Sequence, residues 1–421
     1  MRNTVAVVGG GCSGVLVTRA LLHNSDDDVV LVEPGEPGGG VAYGLAQPWH
    51  LLNSRAGAMS ADPGDPGHFA RWAGADPAEF RPRAEYGRYL RTVLDEASAA
   101  HPGRVRLRRA RATRVVPDAG GGTVVLEDGT PVRADHIVLA TGGPAAARQR
   151  IEHPHYIDDP WRPGVLDGLP PDRPVLLVGT GLTAVDVALT LTADGRRTAP
   201  VVAVSRRGLL PLTHTVDAAP PAAPALDDCA TLRDVVRAVR AAAGEAGDWR
   251  PVVDGMRPYL DRLWTALTAE EQEAFLRHLA RTWECHRHRM APEVAARVVE
   301  LREAGLLEIR RGGVAAWPGL ADYAAVVNCA GPGRLPGSAG SLVGALLEAG
   351  QARLGPHHLG LAIDDLGRVV AADGRSHERL WLIGPLRRGT QWETTAVPEI
   401  RAQAHRLVAD LQPGRELAHA A

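Results

Sequence analysis

The sequence contains no lysine, so all 47 of its Lys and Arg residues are arginine. That excludes chemistry through a lysine Schiff base. Cysteine is also scarce, and Cys12, Cys229, Cys285 and Cys329 stand apart with no C-x-x-C pair. The spacing argues against both a zinc site and the redox-active pair of a disulfide reductase. No uncharged apolar run approaches the roughly 20 residues of a membrane span, and the N-terminus enters an apolar strand with no charged leader and apolar h-region. The expectation is a soluble, cytoplasmic protein with no membrane partner. A formal net charge of −2 supplies no basic field, so nucleic acid is not an expected partner either. What the chain does have is length: 421 residues, 45% of them hydrophobic, enough for two or three domains with real cores.

The stretch VAVVGGGCSGV at residues 5–15 is a short β-branched run that breaks into glycines, the pattern of a buried parallel strand entering a turn. Gly9, Gly11 and Gly14 have the G-x-G-x-x-G spacing. The first permits the tight turn, the second lets a pyrophosphate approach the backbone, and the third lets the following helix pack on the strand. Cys12 and Ser13 lie inside the same loop. The helix is predicted to start near Ser13, with Val15, Leu16, Ala20 and Leu21 on its apolar face. A second strand, Val29 to Val32, ends in Glu33, where a carboxylate can bind a ribose hydroxyl.

A similar phrase, PVLLVGTGLTAVDVALTL, occupies residues 174–191. Gly179, Gly181 and Ala184 give G-x-G-x-x-A, with Leu182 and Thr183 in the turn, so a second dinucleotide site is expected. Its second strand, 201–205, ends not in an acid but in Arg206 and Arg207. Guanidinium groups at that point can pair with the extra phosphate of NADPH. The alternative is a solvated loop in an arginine-rich protein.

The expected fold class is therefore α/β, with two Rossmann-like dinucleotide-binding domains and a helical insertion. Residues 1–165 and 320–421 are read as a discontinuous FAD-binding domain and 170–320 as the NAD(P)H-binding domain. The strand before Ala140, Thr141 and Gly142 is the exit from the first domain. Segments within 101–134 read as a small antiparallel layer around the DGT turn at 128–130, and strands are expected at 325–328 and 380–383. Residues of about 220–305 have helical apolar spacing with turn breaks, an insertion that serves either as a lid or as a homo-oligomer contact. His286 and His288 are two apart and face different ways on a helix, so no metal is expected.

Two loops are candidates for the flavin site. Near the C-terminus, Gly384 and Pro385 lead to Arg387, Arg388 and Trp392, then to a helix start with Thr395 as cap and Ala396, Pro398 and Glu399 following. An ordinary surface connection is the alternative. Gly38 to Gly40, Tyr43, His50, Asn53 and Arg55 make a loop too long to be only a connector, read as cofactor-contacting with Asn53 near the flavin. The catalytic candidates are Asn53, Arg388 and Trp392; no residue is forced to be a general base.

The elements VEPGEPGGGVAYG, HLLNSRAGAMSADP, RPRAEYGRYL, WECHRHRMAP, VVNCAGP and GPLRRGTQWETTAVPEIRAQA resemble the FAD-NAD(P)-binding protein family that includes FAD-dependent urate hydroxylases and relatives of amino acid N-monooxygenases. The resemblance implies a flavin enzyme reduced by NAD(P)H, often one that activates oxygen. The F-x-G-x-x-x-H-x-x-x-W pattern of Baeyer–Villiger monooxygenases is missing between the two glycine phrases, and Gly384-Pro385 stands where Gly-Asp often holds the ribityl chain. The function expected is an FAD- and NADPH-dependent monooxygenase that hydroxylates a small amine or heterocycle through a flavin C4a-hydroperoxide. A dehydrogenase or oxidase without oxygen insertion, and an FAD-binding sensor, are the other readings.

Overall fold

Thr4–Val8 (β1), Cys12–Asn24 (α1) and Asp28–Val32 (β2) follow one another in the computed structural model, which describes residues 2–147, 149–314, 317–336 and 341–412. β1 and β2 are parallel, in register from Thr4 with Asp28 to Val8 with Val32. Two parallel strands need a crossover between them, and α1 supplies it. After the short helices Gly40–Tyr43 (α2) and His68–Trp72 (α3), the longer Arg83–Ala100 (α4) leads to Val105–Arg108 (β3), which is parallel to β2. Ala112–Asp118 (β4), Gly121–Leu126 (β5) and Pro131–Ala134 (β6) form a separate antiparallel sheet, and His136–Leu139 (β7) returns beside β1.

The expected antiparallel layer is thus smaller than the sequence suggested. The run RVRLRRARATRVV, read as its first strand, is two strands: β4 lies in the antiparallel layer, whereas β3 belongs to the parallel sheet. As that sheet's outermost strand it alternates between half-buried and exposed residues, and such alternation looks like an antiparallel strand when read along the chain alone.

The next unit, residues 146–333, holds Tyr156–Ile157 (β8), Val175–Val178 (β9), Leu182–Thr192 (α5) and Val201–Ser205 (β10). Six helices follow: Leu232–Ala246 (α6), Trp249–Gly255 (α7), Leu260–Ala266 (α8), Ala269–His278 (α9), Ala280–Arg287 (α10) and Pro292–Glu303 (α11). Leu307–Arg311 (β11) and Ala325–Asn328 (β12) complete a parallel sheet of order β11-β10-β9-β12-β8. Capping boxes at Thr231 with Asp234 and at Thr268 with Glu271 start α6 and α9, satisfying amide donors that a helix start leaves open.

Residues up to 145 and from 334 on form the other unit. The chain passes between the units near 145 and 333, where the sequence had suggested 165–170 and 320. β12 and β8 account for the two differences: the apolar run of β12 ending in Cys-Ala-Gly could serve either sheet and pairs with β9, and β8, at 156–157, pairs with β12. Leu342–Glu348 (α12), Arg368–Val370 (β13), Ser376–Leu382 (β14) and Val397–Leu411 (α13) finish the first unit, whose parallel-dominated sheet has the order β13-β14-β7-β1-β2-β3. α13 packs against α1, with Val15, Leu16 and Leu21 of one in the same core as Ile400, Leu407 and Val408 of the other. Each such buried side chain contributes roughly 1.5–3 kcal/mol, so α13 is a structural part of this unit.

Candidate cofactor sites

In the first unit the glycine loop is built by close backbone approach. Gly9 has φ +104°, and a side chain there would collide with the Ala140 carbonyl; one at Gly14 would collide with the carbonyl of Gly9. Gly11 differs. It caps α1 with extended backbone, and a Cβ there would meet only the Cα of Gly40, at 3.6 Å. The loop is therefore tight where helix and strand must pack and open where a pyrophosphate would approach. α1 starts at Cys12, next to the expected Ser13.

Glu33 ends β2 with its carboxylate under this loop: its Oε2 accepts from the Gly10 amide at 2.7 Å and its Oε1 from Gly35 at 2.9 Å. Each oxygen keeps a further acceptor site for a ribose hydroxyl. Burial pushes the Cys12 thiol up to about 12, so it stays protonated and takes no part as a nucleophile.

Two other segments reach the same loop. Thr141 and Gly142 follow β7; Gly142 has φ +79°, and the Thr141 hydroxyl is buried with no hydrogen-bond partner among the described residues. A buried orphan hydroxyl of this kind fits a site that a polar ligand completes. Gly384, with φ +84°, lies so near the start of α1 that an added Cβ would stand 2.6 Å from Ser13 Oγ, and Pro385 lies 3.3 Å from the Cβ position of Gly143. Gly9 to Gly14, Glu33, Thr141, Gly142, Gly384 and Pro385 are thus one neighbourhood.

The Gly384 amide donates to Gln403 Oε1 at 2.9 Å, a contact sequence reasoning missed. Its signal was present, since Gln403 is a polar residue in the apolar stripe of α13 formed by Ile400, Ala404 and Leu407.

Gly38, whose amide donates to the Gly10 carbonyl at 2.8 Å, places the 38–40 loop on the glycine loop. His50 and Asn53 are positioned from elsewhere. His50 is buried, the Arg83 amide donates to its carbonyl at 2.8 Å, and the Leu52 amide donates to Arg81 at 2.8 Å. The Arg388 guanidinium lies 4.4 Å from the centre of the Trp392 ring, which is 7% exposed. Arg387 is a pin for this loop, donating through Nε to the Leu382 carbonyl at 2.7 Å. Thr395 is not the cap of α13. It is exposed, one residue outside the cap Ala396, which offers no side-chain acceptor; buried Val397 sets the first helical residue.

The second unit repeats the construction. Gly179 has φ +126°, and a side chain there would collide with the Cys329 carbonyl, as one at Gly9 would with that of Ala140. Gly181 caps α5, and Leu182 and Thr183 form its half-buried first turn. Thr180 locks the loop to the next strand: its hydroxyl is 2.9 Å from that of Ser205 and donates to the Leu209 carbonyl at 2.6 Å. Arg206 and Arg207 follow directly and are exposed. From the insertion, Arg281 reaches this loop and donates to the Thr180 carbonyl at 3.1 Å. His286 is tied to the Thr282 carbonyl at 2.8 Å and rests edge-on against Trp249 at 4.6 Å. His288 is the residue that ends α10.

Residues 6–144 match the model of a family described as FAD-NAD(P)-binding. The chain as a whole has the two-Rossmann flavoprotein fold. It is similar to the ornithine N-hydroxylase of Kutzneria sp. 744, solved with reduced FAD, NADP+ and L-ornithine, at TM-score 0.59 and 16% identity over 99% of this chain and 100% of that one. It is similar to the FAD-bound cadaverine monooxygenase of Erwinia amylovora at 0.67 and 13%, over 99% and 96%. The thioredoxin reductase of Lactococcus lactis also matches, at 0.51 and 12%, over 97% of each chain. The flavoprotein fold is thus shared by proteins of different chemistry. No curated protein matches the chain in sequence. Among the described residues no helix is long and apolar enough to cross a membrane.

Proposed function

We propose that this protein is an FAD-dependent monooxygenase that takes electrons from NADPH and hydroxylates a small polar substrate, an amine or a nitrogen heterocycle. The observation that carries the reading is the pairing of two glycine loops of the same construction, one backed by Glu33 and the other followed by Arg206 and Arg207. Acid at the first suits the ribose of FAD; arginine at the second suits the 2′-phosphate of NADPH. The N-hydroxylating enzymes of the same fold support the reaction type, and the lack of a C-x-x-C pair tells against disulfide reduction.

Gly11, Ser13, Glu33, Thr141 and Gly384 would hold FAD in the first unit. Bound flavin supplies the redox chemistry, accepting electrons from the nicotinamide and passing them to oxygen. The protein's part is to bind and orient, and to exclude water around the ring. Trp392, buried under the Arg388 guanidinium, is assigned to water exclusion. Asn53 and Arg388 are assigned to orienting the substrate.

The test is a screen of small amines and heterocycles that follows NADPH consumption and hydrogen peroxide release together. A true substrate accelerates NADPH oxidation and lowers the peroxide yield. If every compound leaves all consumed NADPH as peroxide, the protein is an oxidase or dehydrogenase and the monooxygenase reading fails.

A further inference from the structure

We propose that Arg281, carried by the helical insertion, binds the pyrophosphate of the nicotinamide cofactor at the second glycine loop. The assignment rests on the reading of that loop as an NADPH site and adds a residue that no glycine motif contains.

Arg281 stands in the first turn of α10, yet its side chain ends at the loop between β9 and α5. Its Nη2 donates to the Thr180 carbonyl at 3.1 Å and to the Leu209 carbonyl at 2.5 Å. Those two bonds fix the plane of the guanidinium. Nη1 then lies 3.7 Å from the position a Cβ would take on Gly181, the glycine at which a pyrophosphate approaches the backbone. The nearest carboxylate, Glu284, is 3.9 Å away and about as solvent-exposed as Arg281 itself, so its hold on Nη1 is weak. A rigid, planar, permanently charged fork in this position is suited to two phosphate oxygens.

The rest of the surface agrees in sign. Arg206 and Arg207 are exposed beside Ser205, whose hydroxyl meets that of Thr180. Arg207 donates to the Arg277 carbonyl at 3.5 Å, so the insertion meets both the glycine loop and the segment that follows β10. Arg206 and Arg207 follow the strand that carries the 2′-phosphate position, whereas Arg281 stands over the helix start. The two sets therefore read different phosphates: Arg206 and Arg207 distinguish NADPH from NADH, and Arg281 holds what both share.

The experiment titrates NADP+ and NAD+ by calorimetry into the full-length FAD-loaded protein and its Arg281→Ala and Arg281→Gln variants, with FAD content and melting temperature measured on each. Loss of a charge-assisted bond should weaken both dinucleotides by roughly tenfold or more, and by the same factor. Arg281→Gln removes the charge and ends two atoms short of Nη2 but keeps a polar side chain at this partly exposed position, so it should lose affinity as Arg281→Ala does, and a melting temperature equal to the parent's shows that the loss is not one of folding. Unchanged affinities in both variants, or full affinity in Arg281→Gln, would show a staple and overturn the proposal. Weakening confined to NADP+ would overturn the pyrophosphate assignment. A parent protein that binds neither dinucleotide overturns the NADPH reading itself, a result distinct from all of these.

Discussion

Gly384 and Ser13 are in such close approach that a single methyl on Gly384 would stand 2.6 Å from the Ser13 hydroxyl. The contact follows from the sheet. β14 pairs with β7 and β7 with β1, so the chain leaving the last parallel strand arrives at the start of the first helix. The C-terminal loop is thereby part of the neighbourhood that the N-terminal glycines open.

Gly11→Ala is expected to fold and to lose FAD. Gly11 has φ −69°, within the range of any residue, and its added Cβ would make only an ordinary contact with Gly40, so the methyl intrudes on the cofactor and on nothing else. Gly14→Ala is expected to destabilise the unit itself, because it strikes the Gly9 carbonyl. Melting temperature and flavin absorbance of the two purified variants separate the effects. Full flavin occupancy in Gly11→Ala would remove the first loop from the FAD site.

Trp392→Phe is the informative change at the C-terminal loop. Trp392→Ala would open a cavity costing about 3–5 kcal/mol and confuse folding with function. Phe keeps a ring beneath Arg388 but fills less space, so peroxide release per NADPH should rise more than flavin reduction slows. An unchanged peroxide yield would take Trp392 out of water exclusion.

The double variant Arg206→Ala, Arg207→Ala should lose about 10- to 150-fold in apparent NADPH affinity, the value of a charge-assisted phosphate contact of roughly 1.5–3 kcal/mol. NADH should be little affected. KM for both donors, with FAD content confirmed, is the measurement, and an unchanged preference would mark the pair as a solvated loop.

Both glycine loops were legible because each requirement, strand, turn, helix and final charged residue, lies within a few tens of residues and each has its own residue signature. What was not legible depends on partners far away in the chain. β3 could not be given its sheet from its own alternation, and nothing near Gly384 announces Gln403. Arg281 meets Thr180 across 101 positions, through an insertion whose sequence shows only helical periodicity. Thr395 failed for a smaller reason: the preference for a hydroxyl at a helix cap is worth about 1 kcal/mol, and the burial of Val397 and Ile400 outweighs it.

Stability is expected to fall with acid through His136. Burial first and the Arg379 charge second, opposed by Asp135, hold its imidazole down from the ordinary 6.5 to about 4, and the neutral Nδ1 accepts from Trp381 Nε1 at 3.4 Å. The unfolded chain takes up a proton near 6.5 and the folded one does not, so the contribution is present above 6.5 and is lost as pH falls toward 4. His23 and His405, also lowered chiefly by burial, act in the same direction. The urea midpoint of the parent should fall relative to that of His136→Gln as pH drops from 7 toward 4, because Gln does not titrate; parallel curves would contradict the assignment.

The measurement that bears most directly on the central claim is anaerobic mixing of the purified protein with NADPH while the absorbance of bound flavin is followed. The protein should carry FAD, its yellow colour should bleach on mixing, and the reaction should saturate at a lower concentration of NADPH than of NADH. A protein that binds no FAD, or whose FAD stays oxidised with both donors, would contradict the account.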